Sequence, residues 1–296
     1  MNEPASPRPH ARDLVLIAVA ATAFATSSPL AKSATGIAPL VIAAGRCAVA
    51  AIVIGVATPR ATASAVRALR PRDRWALPMA GLLLAAHFGF FLGGLATTSL
   101  PAAVALVSLE PLAVVVAAWI AFGLRPTRGE GAGVVVASVG AMIVASGAGS
   151  GEHRIMGDLL VLGAVVLYGA YVAAARGLRD AMPMMPYAAS VYGVAAVALL
   201  PLAIATRGAT ASAPAWSWCA VVALGLVPTL IGHTLVQRAA RRISPAIVAL
   251  TSPGETIGSI VIGAVALGTW PSAREATGTA VVIAGATIAI FGARRG

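Results

Sequence analysis

The sequence predicts an all-α membrane protein of ten transmembrane helices arranged as two inverted five-helix repeats. Three observations predict it: apolar blocks of membrane-crossing length, a one-sided distribution of basic residues between those blocks, and self-similarity at a shift of 145 residues. Of the 296 residues, 59% are hydrophobic and 10% are charged, whereas soluble domains carry about a quarter charged residues. Mean hydropathy is +0.90. Each block runs for roughly 20 residues, the length that spans about 30 Å of hydrocarbon at about 1.5 Å per residue.

In order, the predicted spans are 13–31, 36–57, 75–96, 100–123, 129–148, 155–175, 187–206, 215–237, 244–268 and 274–292, with tails at 1–12 and 293–296. The first block follows Arg8 and Arg12 and imitates a secretory signal, but it has a counterpart in mid-chain and is read as a span. The connections are too short to hold a soluble catalytic domain. Trp75, Trp119, Trp216, Trp218 and Trp270 fall near span ends, as interfacial anchors do. The net charge of +11 would suggest a nucleic-acid partner in a soluble protein. Here it is a topology signal, and no nucleic-acid partner is expected. With both termini cytoplasmic, Arg8, Arg12, Arg60, Arg67, Arg70, Arg72, Arg74, Arg125, Arg128, Arg176, Arg179, Arg238, Arg241, Arg242, Arg294 and Arg295 all fall inside. Only Lys32, Arg154, Arg207 and Arg274 fall outside, and Arg46 lies within a span. An odd number of spans would scramble that division.

A shift of 145 residues superposes Asp13 on Asp158, Ser99 on Ser244, Glu110 on Glu255, Gly123 on Gly268, Pro126 on Pro271 and Glu130 on Glu275. It continues in the same register through Gly133 and Gly278, Gly140 and Gly285, and Gly147 and Gly292. The repeats are therefore 13–148 and 155–292. Because five is odd, the halves cross the membrane in opposite senses, the arrangement of carriers that work by alternating access around a midplane site.

The stretch Ala44-Gly45-Arg46, the run Ser99-Leu100-Pro101-Ala102-Ala103-Val104-Ala105-Leu106 leading to Leu109-Glu110-Pro111, and its counterpart Ser244-Pro245-Ala246-Ile247-Val248-Ala249-Leu250 leading to Glu255 resemble the EamA family of the drug/metabolite transporter superfamily. The resemblance covers essentially the whole chain. It implies a ten-span carrier of two five-span repeats, most often an exporter. The family often closes its fourth and ninth spans with Gly-Glu, whereas Gly123-Leu124 and Gly268-Thr269 stand here, so any role of those end glutamates has no carrier in this chain.

An ionised side chain at the centre of a span costs about 2.5 to 3.5 kcal/mol, so such residues face a cavity and a partner. Arg46, His87, Glu110, His233 and Glu255 are the candidates. Glu110 and Glu255, one per half, are expected on opposite walls of a central cavity, binding a cationic group of the substrate or exchanging protons. The competing reading pairs Arg46 with Glu110 and bonds each histidine to a backbone carbonyl. Pro111 and Pro253 strengthen the case for a site, since a proline inside a helix frees the carbonyl four residues earlier, here that of Val107 or Ala249. In hydrocarbon a free carbonyl is tolerated only against protein or a wet cavity. Thr229, His233 and Gln237 recur every four residues as a polar stripe. Phe91, near His87 on the third span, and Tyr168 and Tyr171 on the sixth add aromatic surface.

The function read from this is secondary transport of small metabolites, amino acids or related compounds, with export from the bacterial inner membrane and with proton coupling as a further hypothesis. The alternative substrate class is drugs or cationic amphiphiles. An intramembrane enzyme lacks a recognisable catalytic motif, and a channel lacks a charge ring or filter. No cofactor or metal is implied by the residues. A monomer supplies both halves of the site, so either a monomer or a homodimer fits.

Overall fold

The computed structural model describes residues 11–71, 73–123, 126–147, 151–178, 180–210, 212–240 and 251–292. Its helices are α1 Ala11–Ala25, α2 Ser27–Ser33, α3 Pro39–Ala57, α4 Pro59–Ala68, α5 Ala76–Thr97, α6 Leu100–Val107, α7 Glu110–Phe122 and α8 Arg128–Ala145. The second half contributes α9 Ile155–Gly177, α10 Met184–Thr206, α11 Ala215–Leu224, a π-helical stretch Gly225–His233, α12 Thr234–Ala240, α13 Thr251–Leu267 and α14 Ala273–Gly292. No strand occurs among the described residues. Seven of these helical runs are long and apolar enough to cross a membrane, and Gly131–Ala145 is a shorter apolar helix.

The surface is arranged as in a membrane protein. Val56, Ile120 and Val265 are 76%, 79% and 80% exposed, while Arg46 is 1% exposed and Glu110 7%. Apolar side chains on the outside and charge within is the arrangement hydrocarbon favours.

Two features depart from the sequence expectation. The 58–74 connection holds an additional helix, α4, whose residues are none of them buried. The first, fourth and eighth predicted spans are not continuous helices, and of these interruptions only the fourth is one that the sequence leads one to expect, from Pro111. α1 stops at Ala25 and α2 restarts at Ser27, α6 stops at Val107 and α7 restarts at Glu110, and the eighth passes through the π-helical stretch. Proline explains each: Pro29, Pro111 and Pro228 cannot donate to the carbonyls of Ala25, Val107 and Leu224. Residues 244–250, the start of the ninth predicted span, lie outside the described residues, as do residues 1–10 and 293–296 of the tails.

The most extensive helix contacts join the two halves: α8 with α14, α5 with α9, and α3 with α10. α1 packs on α13 and on the π-helical stretch, and α6 on α13 and α14. The α8–α14 pair meets backbone to backbone. A Cβ at Gly140 would lie 2.5 Å from the Val282 nitrogen, one at Gly278 would lie 2.8 Å from the Val144 nitrogen, and one at Gly133 would lie 2.5 Å from the Ala289 nitrogen. The register-matched Gly133, Gly140, Gly278 and Gly285 thus serve one purpose, letting two helices approach without side chains between them.

Gly123 caps α7 with φ 70° and Gly268 follows α13 with φ 68°. The left-handed conformation costs an L-residue roughly 1 kcal/mol or more. Gly123→Ala and Gly268→Ala are each predicted to lower stability by about 1 kcal/mol. The check is the thermal midpoint of the purified protein, and a midpoint unchanged in both variants would refute it.

Candidate functional site

The helix interruptions turn polar groups toward the middle of the bundle. There Phe24, Ser27, Arg46, His87, Phe88, Phe91, Val107, Glu110, Tyr168, His233 and Glu255 line one cavity. Its volume is about 20 Å³, room for about one water molecule.

Each freed carbonyl is dealt with in a different way. The hydroxyl of Ser259 on α13 donates to the Ala25 carbonyl at 2.9 Å, and that of Thr229 donates to the Leu224 carbonyl at 2.7 Å. Val107, whose carbonyl Pro111 leaves without its helical donor, lies at the cavity wall. Beside it, the hydroxyls of Ser108, the next residue, and Thr256 pair with each other, and Thr256 donates to the Val104 carbonyl at 3.2 Å. Hydroxyls of α13 therefore support the breaks in both the first and the fourth predicted spans, which belong to the other half of the sequence.

Arg46 projects from α3 and is held by neutral groups. Its Nε donates to Thr229 Oγ1 at 2.8 Å, its Nη1 donates to Ser27 Oγ at 3.4 Å, and the guanidinium carbon lies 4.0 Å from the Phe88 ring centroid. Among the described residues no ion pair joins Arg46 to Glu110. The structure therefore differs from the competing sequence reading, because the helix break brings Ser27 to the guanidinium and Thr229 occupies the Nε direction. Cation–π contact and hydroxyl bonds fix the guanidinium in orientation while leaving its charge uncancelled by a contacting carboxylate.

The histidines divide. His87 Nδ1 lies 2.9 Å from the Ala164 carbonyl, the bond the competing reading assigns to it, although its ring still lines the cavity. His233 Nδ1 has no hydrogen-bond partner, and the ring sits among aromatics: Phe24 at 4.8 Å, Phe88 at 5.1 Å, Tyr168 at 6.2 Å and Tyr171 at 6.3 Å between centroids. Such edge-on arrangements are the favourable ones for rings with opposed faces and edges.

Of the ten residues predicted from sequence, Arg46, His87, Phe91, Glu110, Tyr168, His233 and Glu255 line the cavity. Thr229 supports Arg46 from behind. Tyr171 belongs to the ring cluster one layer away, and Gln237 is buried a turn beyond His233. Sequence reasoning missed Phe24, Ser27 and Phe88, and named Val107 for its freed carbonyl alone. Ser27 and Phe24 flank the break at Thr26, and Pro29 was the available signal for it. Phe88 adjoins His87 and is recognisable only once Arg46 is seen above its ring.

The model of the EamA-like transporter family matches residues 12–146 and 155–291, one match per half. A protein of Streptantibioticus cattleyicolor named "Probable terminal-alkyne amino-acid exporter" is 30% identical over 250 residues, covering 83% of this chain and 80% of that protein. A solved structure described as "Crystal structure of protein" superposes with a TM-score of 0.69 at 21% identity, over 97% of this chain and 99% of that one. At that identity it shows the fold alone. The family match spans both halves, and membrane-crossing helices carry the cavity between them. The chain therefore belongs to the EamA-like transporter family, multi-pass membrane transporters rather than enzymes.

Proposed function

We propose that this protein exports small amino acids or closely related amphipathic metabolites across the bacterial inner membrane by alternating access. One observation carries the reading: a guanidinium, two carboxyl groups and a wall of aromatic rings converge on a single buried cavity. A zwitterion with an apolar side chain matches that set. Its carboxylate pairs with Arg46 in the bidentate geometry guanidinium favours, its ammonium pairs with Glu110 or Glu255, and its side chain meets Phe24, Phe88, Phe91 and Tyr168. The name of the Streptantibioticus cattleyicolor relative agrees with that substrate class. A purely cationic amphiphile suits the site less well, because Arg46 would repel it from the same wall.

The contacts support ten spans in two inverted repeats. Exchanging the halves carries α5 on α9 to the eighth predicted span on α1, and α6–α7 on α9 to α13 on α1, and both partners of each exchange are packed together. The α8–α14 contact maps onto itself. The distribution of basic residues supports cytoplasmic termini. A cavity of about 20 Å³ is smaller than any amino acid, so loading requires the interlocked halves to move apart at one end. Glu110, Glu255 and the histidines are the groups through which proton coupling would act, and a monomer contains the complete site.

The test is thermal unfolding of the detergent-purified protein against amino acids, amines, sugars, nucleosides and hydrophobic cations, followed by counterflow in liposomes. A ligand that binds only the folded state at about 100 times its Kd adds about 2.7 kcal/mol of apparent stability. Stabilisation by zwitterionic amino acids, and counterflow of the same compounds, is expected. Stabilisation confined to bulky cations would overturn the amino-acid reading in favour of drug export.

A further inference from the structure

A second buried polar cluster lies where the 98–99, 151–154 and 268–272 connections come together, the end that the basic-residue distribution puts outside the cell. His153 is 2% exposed, Asp158 1% and Glu275 4%. His153 Nε2 lies 2.8 Å from Asp158 Oδ2, and the other oxygen of Asp158 accepts from Thr98 Oγ1 at 2.9 Å. Ser99, which caps α6, donates to Glu275, whose second oxygen accepts from the Ser272 backbone N–H at 2.7 Å. His153 Nδ1 is 3.7 Å from Glu275 Oε1 and makes no hydrogen bond. Thr98 and Ser99 come from the first half, and Asp158 and Glu275 from the second, so the cluster fastens one half to the other.

We propose that His153, Asp158 and Glu275 form a proton-binding site that latches the outer end of the transporter, a proposal that rests on the alternating-access reading above. With Nε2 donating to Asp158, a neutral imidazole turns the lone pair of Nδ1 toward a carboxylate. A proton on Nδ1 replaces that repulsion with a charge-assisted attraction on both sides of the ring. Among unperturbed side chains, imidazole is the one whose charge changes near neutral pH. The other charged groups around the seam are occupied elsewhere. Lys32 donates to the Thr98 carbonyl at 3.0 Å and pairs with Glu152 at 3.4 Å, Arg154 donates to the Gly151 and His153 carbonyls, and Arg274 donates to the Ser146 carbonyl. Among the described residues no arginine or lysine substitutes for the imidazolium between the two carboxylates. The repeat register sharpens the point: the shift that carries Asp158, Ser99 and Glu275 onto Asp13, Ser244 and Glu130 carries His153 onto Arg8. The sequence thus sets a titratable base against a fixed cation across its internal symmetry.

External acid therefore holds the outer end closed, and alkalinity releases it. The chain carries two native cysteines, Cys219, which is exposed, and Cys47, which is buried. The experiment uses the full chain in intact cells, with Cys219→Ser and Cys47→Ala and a reporter thiol introduced into the cavity by Val107→Cys. A membrane-impermeant maleimide is applied from outside between about pH 5 and 8. Dividing each labelling rate by that of the His153→Gln variant at the same pH cancels the intrinsic thiol chemistry. The ratio is expected to rise at least about fivefold from the acid to the alkaline end. Glu275→Gln should label without that pH dependence, and His153→Arg should stay protected throughout. Glu275→Gln serves as the reference if His153→Gln does not reach the membrane. A flat ratio, or His153→Arg labelling as fast as His153→Gln, overturns the latch. Amino-acid transport measured on the same cells separates the two readings, since pH-dependent labelling without transport of any amino acid supports the latch and removes the substrate assignment.

Discussion

Arg46→Lys is expected to weaken binding of a stabilising amino acid roughly 30-fold or more, about 2 kcal/mol, while changing the affinity for the corresponding amine without a carboxylate by less than about threefold. Lysine keeps the charge but cannot donate to Thr229 and Ser27 while presenting a planar fork to a carboxylate, and it loses the flat contact with Phe88. Glu110→Gln and Glu255→Gln should show the reverse preference, with the amine losing at least as much affinity as the zwitterion, because the ammonium is their share of the ligand. The measurement is thermal shift or isothermal titration with the matched pair of compounds. Equal losses for both compounds in Arg46→Lys would make Arg46 a scaffold residue that merely holds the π-helical stretch in place. Unchanged binding of both compounds in both glutamine variants would move the ammonium site out of this cavity.

Gly140→Val and Gly278→Val are expected to give the largest losses of stability. At these positions the α8 and α14 backbones approach so closely that a Cβ would lie 2.5 Å from the Val282 nitrogen or 2.8 Å from the Val144 nitrogen. The obstruction is backbone, which cannot swing aside as a side chain could, so the helices must separate along their length. Overpacking costs typically 1 to 3 kcal/mol, and loss of a contact that unites the two halves places these variants at about 3 kcal/mol or above. Gly131→Val on the same helix is the control, since a Cβ there meets nothing within 4 Å. Size-exclusion profiles and thermal midpoints of the three variants decide the matter. Equal behaviour of Gly131→Val and Gly140→Val would show that close approach is not what the matched glycines provide.

Much of the molecule was legible without coordinates because a bilayer allows few choices. Hydrocarbon requires every backbone group to be satisfied within a helix or a sheltered break, so block length and hydropathy indicated helices, and Pro111 indicated the interruption of the fourth span. The charged residues of the spans were legible as a site for the same reason, since Arg46, Glu110 and Glu255 have nowhere to go but inward. The α4 helix was less so, because Pro59–Ala68 is a short stretch, polar on average, with no buried residue.

The sequence by itself determined the class of protein, the positions of seven helical runs long and apolar enough to cross a membrane, the duplication and most of the residues around the cavity, because these follow from local hydropathy and register. Only the tertiary structure decided which side chains answer one another. That Arg46 is held by Thr229, Ser27 and Phe88 and not by Glu110, that the α13 hydroxyls of Thr256 and Ser259 support breaks in the opposite half, and that His153 sits between Asp158 and Glu275 are contacts between segments up to 234 residues apart. Their geometry depends on how far each broken helix turns and how closely glycine lets its neighbour approach, and neither quantity is carried by any one segment.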